Sequence, residues 1–331
     1  MRSNQFVIAL LVCSLGVVSH VRAAEKVVKL DGSSTVFPIS EAMAEEFQKE
    51  HRDIKVTVGI SGTGGGFKKF VRGETDISDA SRPILAKEME DARKNGIEYI
   101  EIPVAFDALT VMVNPKNTWV DQLTVAELKT IWSPDAQSKI TNWNQVRPTF
   151  PDKPLKLYGA GSDSGTFDYF TEAIVGKAKS SRGDYTASED DNVLVQGIGN
   201  DINALGYFGY AYYAENQDKL KAVPVVNKSG HAIAPSPEAV KDGSYNPLSR
   251  PIFIYINKKS LAEKPEVKQF VEFYLKHSAE LVKEVKYVAL PDHAYEMGMK
   301  RVTEMKTGTI FGGKEAVGIT IEELFQRELK Q

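Results

Sequence analysis

Hydrophobic residues recur along the chain at two spacings, the alternation of strands and the three-to-four-residue spacing of amphipathic helices. Apolar or β-branched runs predict strands at residues 26–30, 55–58, 99–114, 156–158 and 251–257. Helical spacing predicts helices at residues 38–50, 67–71, 86–94, 167–175 and 265–286. Because strands and helices alternate, the pattern indicates the α/β class. The strands at residues 99–114 and 251–257 are interpreted as two crossings between two lobes.

Three turns rich in glycine, serine and threonine stand directly before predicted helices. They span residues 31–35, 59–66 and 159–166, and the second turn is followed by Phe67-Lys68-Lys69. Glycine has no Cβ, so such turns let backbone N–H groups approach a ligand closely. The unpaired N–H groups at a helix N-terminus favour an anion. Each turn also carries hydroxyl donors, namely Ser34, Thr35, Ser61, Thr63, Ser164 and Thr166.

A small oxyanion needs many hydrogen bonds when it leaves water. The idealised cost of transfer is about 20 kcal/mol, whereas one helix dipole offsets about 0.3–2 kcal/mol. Hydrogen bonds to a charged group contribute roughly 1.5–3 kcal/mol each, so about ten would be required. Three turns together can supply that number, which favours one anion site over three ordinary serine and threonine caps. The second turn lacks the Lys-Ser/Thr of a Walker loop and fits the Rossmann spacing poorly.

Charged residues near the turns extend this interpretation. Residues 75–83 predict a strand that ends in a polar loop, where Arg82 can add a forked donor of permanent charge. Phosphate keeps a proton near neutral pH, whereas sulfate does not. A buried carboxylate would therefore accept a hydrogen bond from phosphate and repel sulfate. The candidates for that acceptor are Asp79, Asp163 and Asp191.

The first residues predict export. Arg2 precedes an apolar run at residues 6–18, which is too short to span a membrane, and small residues follow at the cleavage positions. Residues 1–23 are therefore assigned to a secretory signal peptide, and the protein to the periplasm. The single cysteine, Cys13, follows Val12 inside this run, which favours a freely exported protein over a lipid-anchored one.

The remaining composition points away from nucleic acid and from metal chemistry. The 331 residues carry a net charge of −3, which becomes −5 once Arg2 and Arg22 leave with the signal peptide. A negative chain must bind an anion through local donors, and it gives no reason to expect a nucleic-acid partner. The four remaining histidines form no motif with Ser164 or with a metal, so we expect no metal, no cofactor and no catalytic residue. They are His51, His231, His277 and His293.

In order and spacing, four stretches resemble the PstS family, the periplasmic phosphate-binding proteins of the phosphate ABC transporter. They are residues 31–38 (DGSSTVFP), 59–66 (GISGTGGG), 76–83 (DISDASRP) and 162–167 (SDSGTF). Each stretch is weak alone, but the ordered set is specific and covers nearly all of the exported chain.

This resemblance implies a type II periplasmic-binding-protein fold, with two α/β lobes, two crossing strands and a ligand cleft between the lobes. Residues 24–105 and 256–331 would form lobe 1, and residues 106–255 would form lobe 2. The implied function is to bind inorganic phosphate as a monomer, without catalysis, and to deliver it to an ABC transporter permease in the inner membrane. The predicted ligand-binding residues are Ser34, Thr35, Val36, Ser61, Thr63, Ser81, Arg82, Asp163, Ser164, Gly165 and Thr166.

The sequence departs from the family pattern at two positions. Well-known members carry an arginine four residues before the serine of the Ser-Gly-Thr turn, where this chain has Ala160. They also carry an aspartate where this chain has Ser81-Arg82, as in the family branch with Ser-Arg-Pro. We therefore expect Arg82 to replace the missing arginine from the other lobe. The preference for phosphate over sulfate is left open, because no motif places the acceptor carboxylate.

Three alternatives stay open at this stage. The same fold can bind another oxyanion, such as sulfate, molybdate or tungstate. An exported serine hydrolase or phosphatase is a second alternative, although Ser164 lies outside a Gly-x-Ser-x-Gly elbow. In the third, ligand binding serves a sensory or adhesive role.

Overall fold

A computed structural model describes residues 26–314 and 317–329 of the chain. The predicted signal peptide at residues 1–23, with Cys13, lies outside these residues. Within the described part of the chain, no helix is both long and apolar enough to cross a membrane.

The first third of the chain alternates strand and helix. Its elements are β1 (Lys26–Gly32), α1 (Phe37–Glu50), β2 (Ile54–Ile60), α2 (Gly62–Phe70), β3 (Ile77–Ala80), α3 (Ala86–Lys94) and the long β4 (Tyr99–Val113). Strands β1, β2 and β3 are parallel, with β1 in the middle. Every residue of β4 is buried, which is typical of a strand that is covered on both faces.

The middle of the chain builds the second lobe from shorter elements. They are β5 (Leu123–Thr124), α4 (Val125–Trp132), β6 (Lys156–Ala160), α5 (Gly165–Phe170), β7 (Thr186–Ser188), α6 (Asp191–Asn200), β8 (Ala204–Gly209), α7 (Tyr210–Glu215), β9 (Lys221–Ala222), β10 (Val225–Val226), β11 (Ala232–Ile233) and α8 (Pro237–Lys241). Two 3₁₀ turns lie at Pro134–Ala136 and Trp143–Gln145, and a π-helical turn at Thr171–Val175 extends α5.

The chain then returns to the first lobe. The remaining elements are β12 (Ser249–Asn257), α9 (Lys258–Glu263), α10 (Pro265–Glu284), β13 (Val288–Ala289), α11 (Asp292–Thr303) and α12 (Ile321–Glu328). Strand β12 lies antiparallel to both β3 and β4.

One curled sheet joins the two lobes, in the strand order β2-β1-β3-β12-β4-β8-β6-β7. Strand β4 belongs to both lobes, because residues up to Ala108 pair with β12 and residues from Leu109 onward pair with β8. The two predicted crossing strands are thus confirmed as neighbours in the sheet. The predicted lobe boundaries at residues 105/106 and 255/256 stay a prediction.

Packing of the helices follows the apolar spacing of the sequence. Helices α1 and α10 pack on each other and on β1 and β2, while α2 packs against β1 and β3. Helix α6 packs on β6 and β8 of the second lobe. Thr124 with Glu127 and Thr320 with Glu323 form capping boxes at the starts of α4 and α12.

The glycine-rich turn before Phe67 differs from its prediction as a loop. Residues from Gly62 onward already form the first turns of α2. Close packing explains why glycine is required there despite its low helix propensity. A Cβ on Gly66 would lie 2.6 Å from the Cα of Gly32, and one on Gly62 would lie 2.5 Å from the carbonyl oxygen of Asp163. Tertiary contact therefore outweighs local preference in this helix.

Candidate functional site

The starts of α1, α2 and α5 meet where the two lobes touch, and buried hydroxyl groups converge there. Thr35 Oγ1 lies 3.1 Å from Thr166 Oγ1 across the seam between the lobes. Thr63 Oγ1 lies 3.1 Å from Ser81 Oγ and also accepts a hydrogen bond from the Ser81 N–H at 3.1 Å. All four residues are fully buried. We call Thr35, Thr63, Ser81, Thr166 and the adjoining Gly165 the hydroxyl cluster.

Gly165 lets the two lobes approach closely at this point. A Cβ on Gly165 would lie 2.4 Å from Thr63 Oγ1 and 2.5 Å from Ser81 Oγ, so no larger residue fits in this arrangement. A second contact across the seam runs from the Gly64 N–H to the Asp163 carbonyl oxygen, at 2.7 Å. The second and third turns of the sequence analysis are therefore in direct contact.

Arg250 supplies the positive charge of this region, and the sequence analysis did not identify it. Its Nη2 group donates to Thr166 Oγ1 at 2.8 Å and to Thr35 Oγ1 at 3.4 Å. Its Nη1 group donates to the Gly165 carbonyl oxygen at 3.2 Å. The side chain is fully buried, and its guanidinium lies 5.5 Å from the centre of the Tyr169 ring. Arg250 thus links the crossing strand β12 to hydroxyls of both lobes.

Two buried aspartates accompany Arg250. Asp107 on β4 accepts from Arg250 Nη2 at 3.1 Å. Burial raises the pKa of Asp107, although Arg250 opposes that rise. Asp191 at the start of α6 faces the Ser34 hydroxyl, and its Oδ2 atom has no hydrogen-bond partner among the described residues. Burial, with the nearby negative charge of Asp107, raises the pKa of Asp191 to about 7. A carboxyl group of this kind can hold or release a proton near neutral pH.

Three further predicted residues border the hydroxyl cluster. Ser34 is buried, and its carbonyl oxygen accepts from the Tyr212 hydroxyl at 3.1 Å. Val36 precedes α1 in the hydrophobic core, and its N–H donates to the Ser33 carbonyl oxygen at 3.2 Å. Ser164 caps α5, because its Oγ accepts from the Thr166 N–H at 3.1 Å.

Ser61 is turned away from the hydroxyl cluster. Its hydroxyl donates to Asp31 Oδ1, and Lys69 Nζ donates to the other carboxylate oxygen of Asp31 at 2.6 Å. These contacts occupy Ser61 within its own lobe. Its predicted role as a ligand donor would require the Ser61–Asp31 bond to break.

Arg82 follows Ser81 of the hydroxyl cluster, and two carboxylates engage it. Its Nη1 and Nη2 groups donate to the two carboxylate oxygens of Glu88 at 2.9 and 2.8 Å. Its Nε group donates to Asp168 Oδ2 at 2.7 Å. The expectation that Arg82 replaces the missing family arginine at the ligand stays a prediction, and Arg250 is a second arginine, in direct contact with Thr35 and Thr166.

The other two candidate acceptors also lie elsewhere. The Asp163 carboxylate pairs with Lys68 Nζ at 2.8 and 2.9 Å on the surface. Asp79 lies beneath α1, where Ser40 Oγ donates to its Oδ1 at 3.0 Å. Burial raises the pKa of Asp79 to about 8. Of the three candidates, Asp191 is the one placed beside Arg250.

A signal for Arg250 was present in the sequence. Strand β12 begins at Ser249, two residues earlier than predicted, so Arg250 lies inside a crossing strand. Asp107 lies inside the other crossing strand, and both are charged residues within long apolar runs. Opposite charges in two neighbouring buried strands favour an ion pair, because an isolated buried charge is costly.

Comparison with known proteins places this architecture in a family. A model of the PBP superfamily domain matches residues 18–278 of the chain. This chain belongs to the PBP superfamily. Among its curated relatives, Protein SphX of Synechococcus elongatus is 54% identical over 97% of this chain and 94% of that protein. The phosphate-binding protein PstS of Staphylococcus saprophyticus is 42% identical over 81% of this chain and 82% of that protein. Within the superfamily, the chain therefore belongs with the PstS family.

Solved structures agree with this assignment. A possible phosphate binding protein from Planctomyces limnophilus is 51% identical and aligns with a TM-score of 0.63 over 85% of this chain and 99% of that chain. A substrate-binding protein from Clostridium perfringens with bound phosphate is 27% identical, with a TM-score of 0.66 over 80% of this chain and 100% of that chain. The two-lobed fold predicted for this PBP-superfamily chain is confirmed.

In the parts of the chain that the structure describes, no group of three or more His, Cys, Asp and Glu residues could hold a metal ion. His51, His277 and His293 each pack against a phenylalanine ring.

Proposed function

We propose that this protein is an extracytoplasmic receptor that binds inorganic phosphate between its lobes and passes it to an ABC transporter. The observation that carries the proposal is the hydroxyl cluster, in which buried donors of both lobes converge on Arg250. Opening of the lobes would expose these donors, and closing would surround a small anion with them. Hydrogen bonds of this kind offset the loss of hydration of a charged ligand.

The ligand contacts that we propose are Thr35, Thr63, Ser81, Gly165, Thr166 and Arg250. Ser34, Val36, Ser61, Arg82, Asp163 and Ser164 stay predicted contacts. Asp191 would accept the proton of a phosphate ion, since its buried Oδ2 atom has no partner among the residues that the structure describes. Sulfate has no proton to offer, so the same carboxylate would disfavour it.

The relatives support this choice of ligand. The Staphylococcus relative is named a phosphate-binding protein, and the Clostridium perfringens structure was solved with phosphate. The family consists of substrate-binding receptors, and we propose binding without chemistry. We further propose that residues 1–23 direct export to the periplasm, that the exported chain acts as a monomer, and that an inner-membrane permease receives the ligand. Lobe 1 would comprise residues 24–105 and 256–331, and lobe 2 residues 106–255.

Equilibrium dialysis with radiolabelled phosphate tests the proposal. The exported chain should retain one phosphate per molecule, and Arg250→Lys should lose affinity by about tenfold or more, because lysine cannot reproduce the forked donor. Arg182→Lys is the matched control, since Arg182 is also buried but donates to the carbonyl oxygens of Ile131 and Ile140. Retention of no phosphate by the parent protein would refute the proposed function. Equal affinity of Arg250→Lys and parent would remove Arg250 from the site.

A further inference from the structure

Four charged groups form an alternating row across the seam between the lobes. The carboxylate of Glu88 on α3 accepts hydrogen bonds from both Nη groups of Arg82, and both residues belong to the first lobe. Asp168 on α5 of the second lobe accepts a hydrogen bond from the Nε group of Arg82 at 2.7 Å. Lys179 Nζ lies 3.7 Å from the other carboxylate oxygen of Asp168. The Arg82–Asp168 pair is thus a direct ionic contact between lobes.

This contact is buried. The side chains of Arg82 and Asp168 are 0% and 1% exposed, and the Arg82 guanidinium lies 5.5 Å from the centre of the Phe67 ring. A buried ion pair gains little net energy, because its attraction is offset by lost hydration. Removal of one partner is costly, however, since the other charge is then left buried alone. Such a pair therefore specifies one arrangement of the lobes more than it stabilises the fold.

Separation of the lobes would treat the two partners differently. Arg82 would keep Glu88, which lies on its own lobe, whereas Asp168 would exchange Arg82 for water and Lys179. Neither charge would be left buried alone in an open form, so the contact can break and re-form reversibly. Reversible formation is the property that a closing device requires.

We propose that Arg82 and Asp168 form a latch that favours the closed arrangement of the lobes and slows ligand release through this contact between lobes. This deepens the proposed function, since the released ligand would be phosphate, but the closure itself can be measured without any ligand. Arg82 acts here as a positioning residue. Its three donor nitrogens engage Asp168, Glu88 and the Pro83 carbonyl oxygen, whereas Arg250 reaches the hydroxyl cluster.

The charges around Arg82 also predict which variants should disfavour closure of the lobes. Without Arg82, the carboxylates of Glu88 and Asp168 would face each other, and Glu88 already opposes the ionisation of Asp168. Arg82→Met should therefore disfavour closure, and Asp168→Asn should do so by removing the partner charge. Glu88→Gln is the matched control, because it alters the neighbour of Arg82 within one lobe and leaves the contact between lobes. Its amide oxygen can still accept from the Leu85 N–H, as Glu88 does at 2.9 Å.

Chemical crosslinking across the seam measures closure. Lys68 and Asp163 pair across the lobes near the latch, and their side chains are 62% and 39% exposed. A background protein with Lys68→Cys and Asp163→Cys is treated with a short bifunctional maleimide in phosphate-free buffer. The exported chain lacks cysteine elsewhere, since Cys13 is the single cysteine of the sequence. The crosslinking rate is then proportional to the closed fraction, however small that fraction is.

We expect Arg82→Met and Asp168→Asn to slow crosslinking by about tenfold, a typical size of conformational coupling, and Glu88→Gln to change it by less than about twofold. Circular dichroism verifies that the variants fold. If Arg82→Met does not fold, the crosslinking rate of Asp168→Asn tests the latch by itself. Crosslinking of Asp168→Asn at the background rate would overturn the latch. Phosphate dissociation from the uncrosslinked variants should be about tenfold faster. Failure of the parent to bind phosphate would refute the proposed function. The crosslinking result would still test the latch, because it is measured without ligand.

Discussion

Asp79 and Asp191 each bury one carboxylate oxygen that has no hydrogen-bond partner among the described residues, but their surroundings differ. Asp191 lies near Ser34 and Arg250. Asp79 belongs to β3 and faces α1, where Ser40 is its donor. We therefore expect different consequences, ligand selection at Asp191 and a pH-dependent stability at Asp79.

The effect of Asp79 on stability has a definite sign. Burial raises its pKa to about 8, so between about pH 4 and pH 8 the folded chain binds a proton that the unfolded chain has released. Stability is therefore fully present below the unfolded pKa and is lost as the pH rises toward 8. For a pKa of about 8, this group alone lowers the free energy of unfolding by about 4 kcal/mol between pH 5 and pH 8.

We expect Asp79→Asn to remove that part of the pH dependence, because the amide stays neutral throughout. Urea unfolding in phosphate-free buffer at pH 5, 6.5 and 8 measures the difference between parent and variant. Comparison with the parent isolates Asp79 from Glu101, whose pKa burial raises to about 7. An identical decline in both proteins would mean that Asp79 is ionised in the folded state throughout this range.

At the scale of elements, the starts of α2 and α5 pack together because a glycine lies at each of their close contacts. The Gly64 N–H donates to the carbonyl oxygen of Asp163, and Gly165 lies against Thr63 and Ser81. Strand β3 and helix α2 bring one pair of hydroxyls to the seam, and α1 and α5 bring the other. A small anion can therefore be approached from several helix starts at once.

Gly165→Ala should disrupt this arrangement. Its Cβ would lie 2.4 Å from Thr63 Oγ1, and overpacking of this kind costs roughly 1–3 kcal/mol. We expect phosphate affinity to fall by about tenfold or more, as measured by competition against labelled phosphate. Gly183→Ala is the control, because its Cβ would lie 3.6 Å from Gln137 Oε1, an ordinary contact. Equal affinities of the two variants would show that the close approach of α5 is dispensable.

The elements with strong local signals were predicted well from sequence. Helix α3 has its predicted bounds of residues 86–94. The start of α2 was missed because glycine opposes helix formation locally. The role of Arg250 was missed because its partners are distant in sequence: Thr35 is 215 residues away and Thr166 is 84 residues away. Similarly, the position of Arg82 next to a polar loop does not reveal from sequence that Glu88 and Asp168 form ion pairs with it.

At the scale of the whole molecule, the charges of the exported chain do not attract an anion. Its net charge is −5 once the first 23 residues are removed. Affinity must therefore come from donors that act at contact distance after closure, and salt should weaken it less than it weakens binding by long-range attraction. The exposed Lys68–Asp163 pair contributes little to closure, since surface pairs of this kind are weak. We therefore expect the buried groups around Arg250 and Arg82 to contribute most of the affinity and of the closure.

Titration calorimetry at pH 8 with phosphate, alone and in excess sulfate, tests whether the chain is a phosphate receptor. The exported chain should bind one phosphate, and the heat should persist in sulfate, because Asp191, whose pKa is about 7, would then be ionised and would accept a proton that sulfate lacks. In Asp191→Asn, the amide can donate to sulfate, so sulfate should then compete. Competition by sulfate in the parent protein would contradict the role of Asp191. Absence of heat with phosphate would contradict the receptor itself.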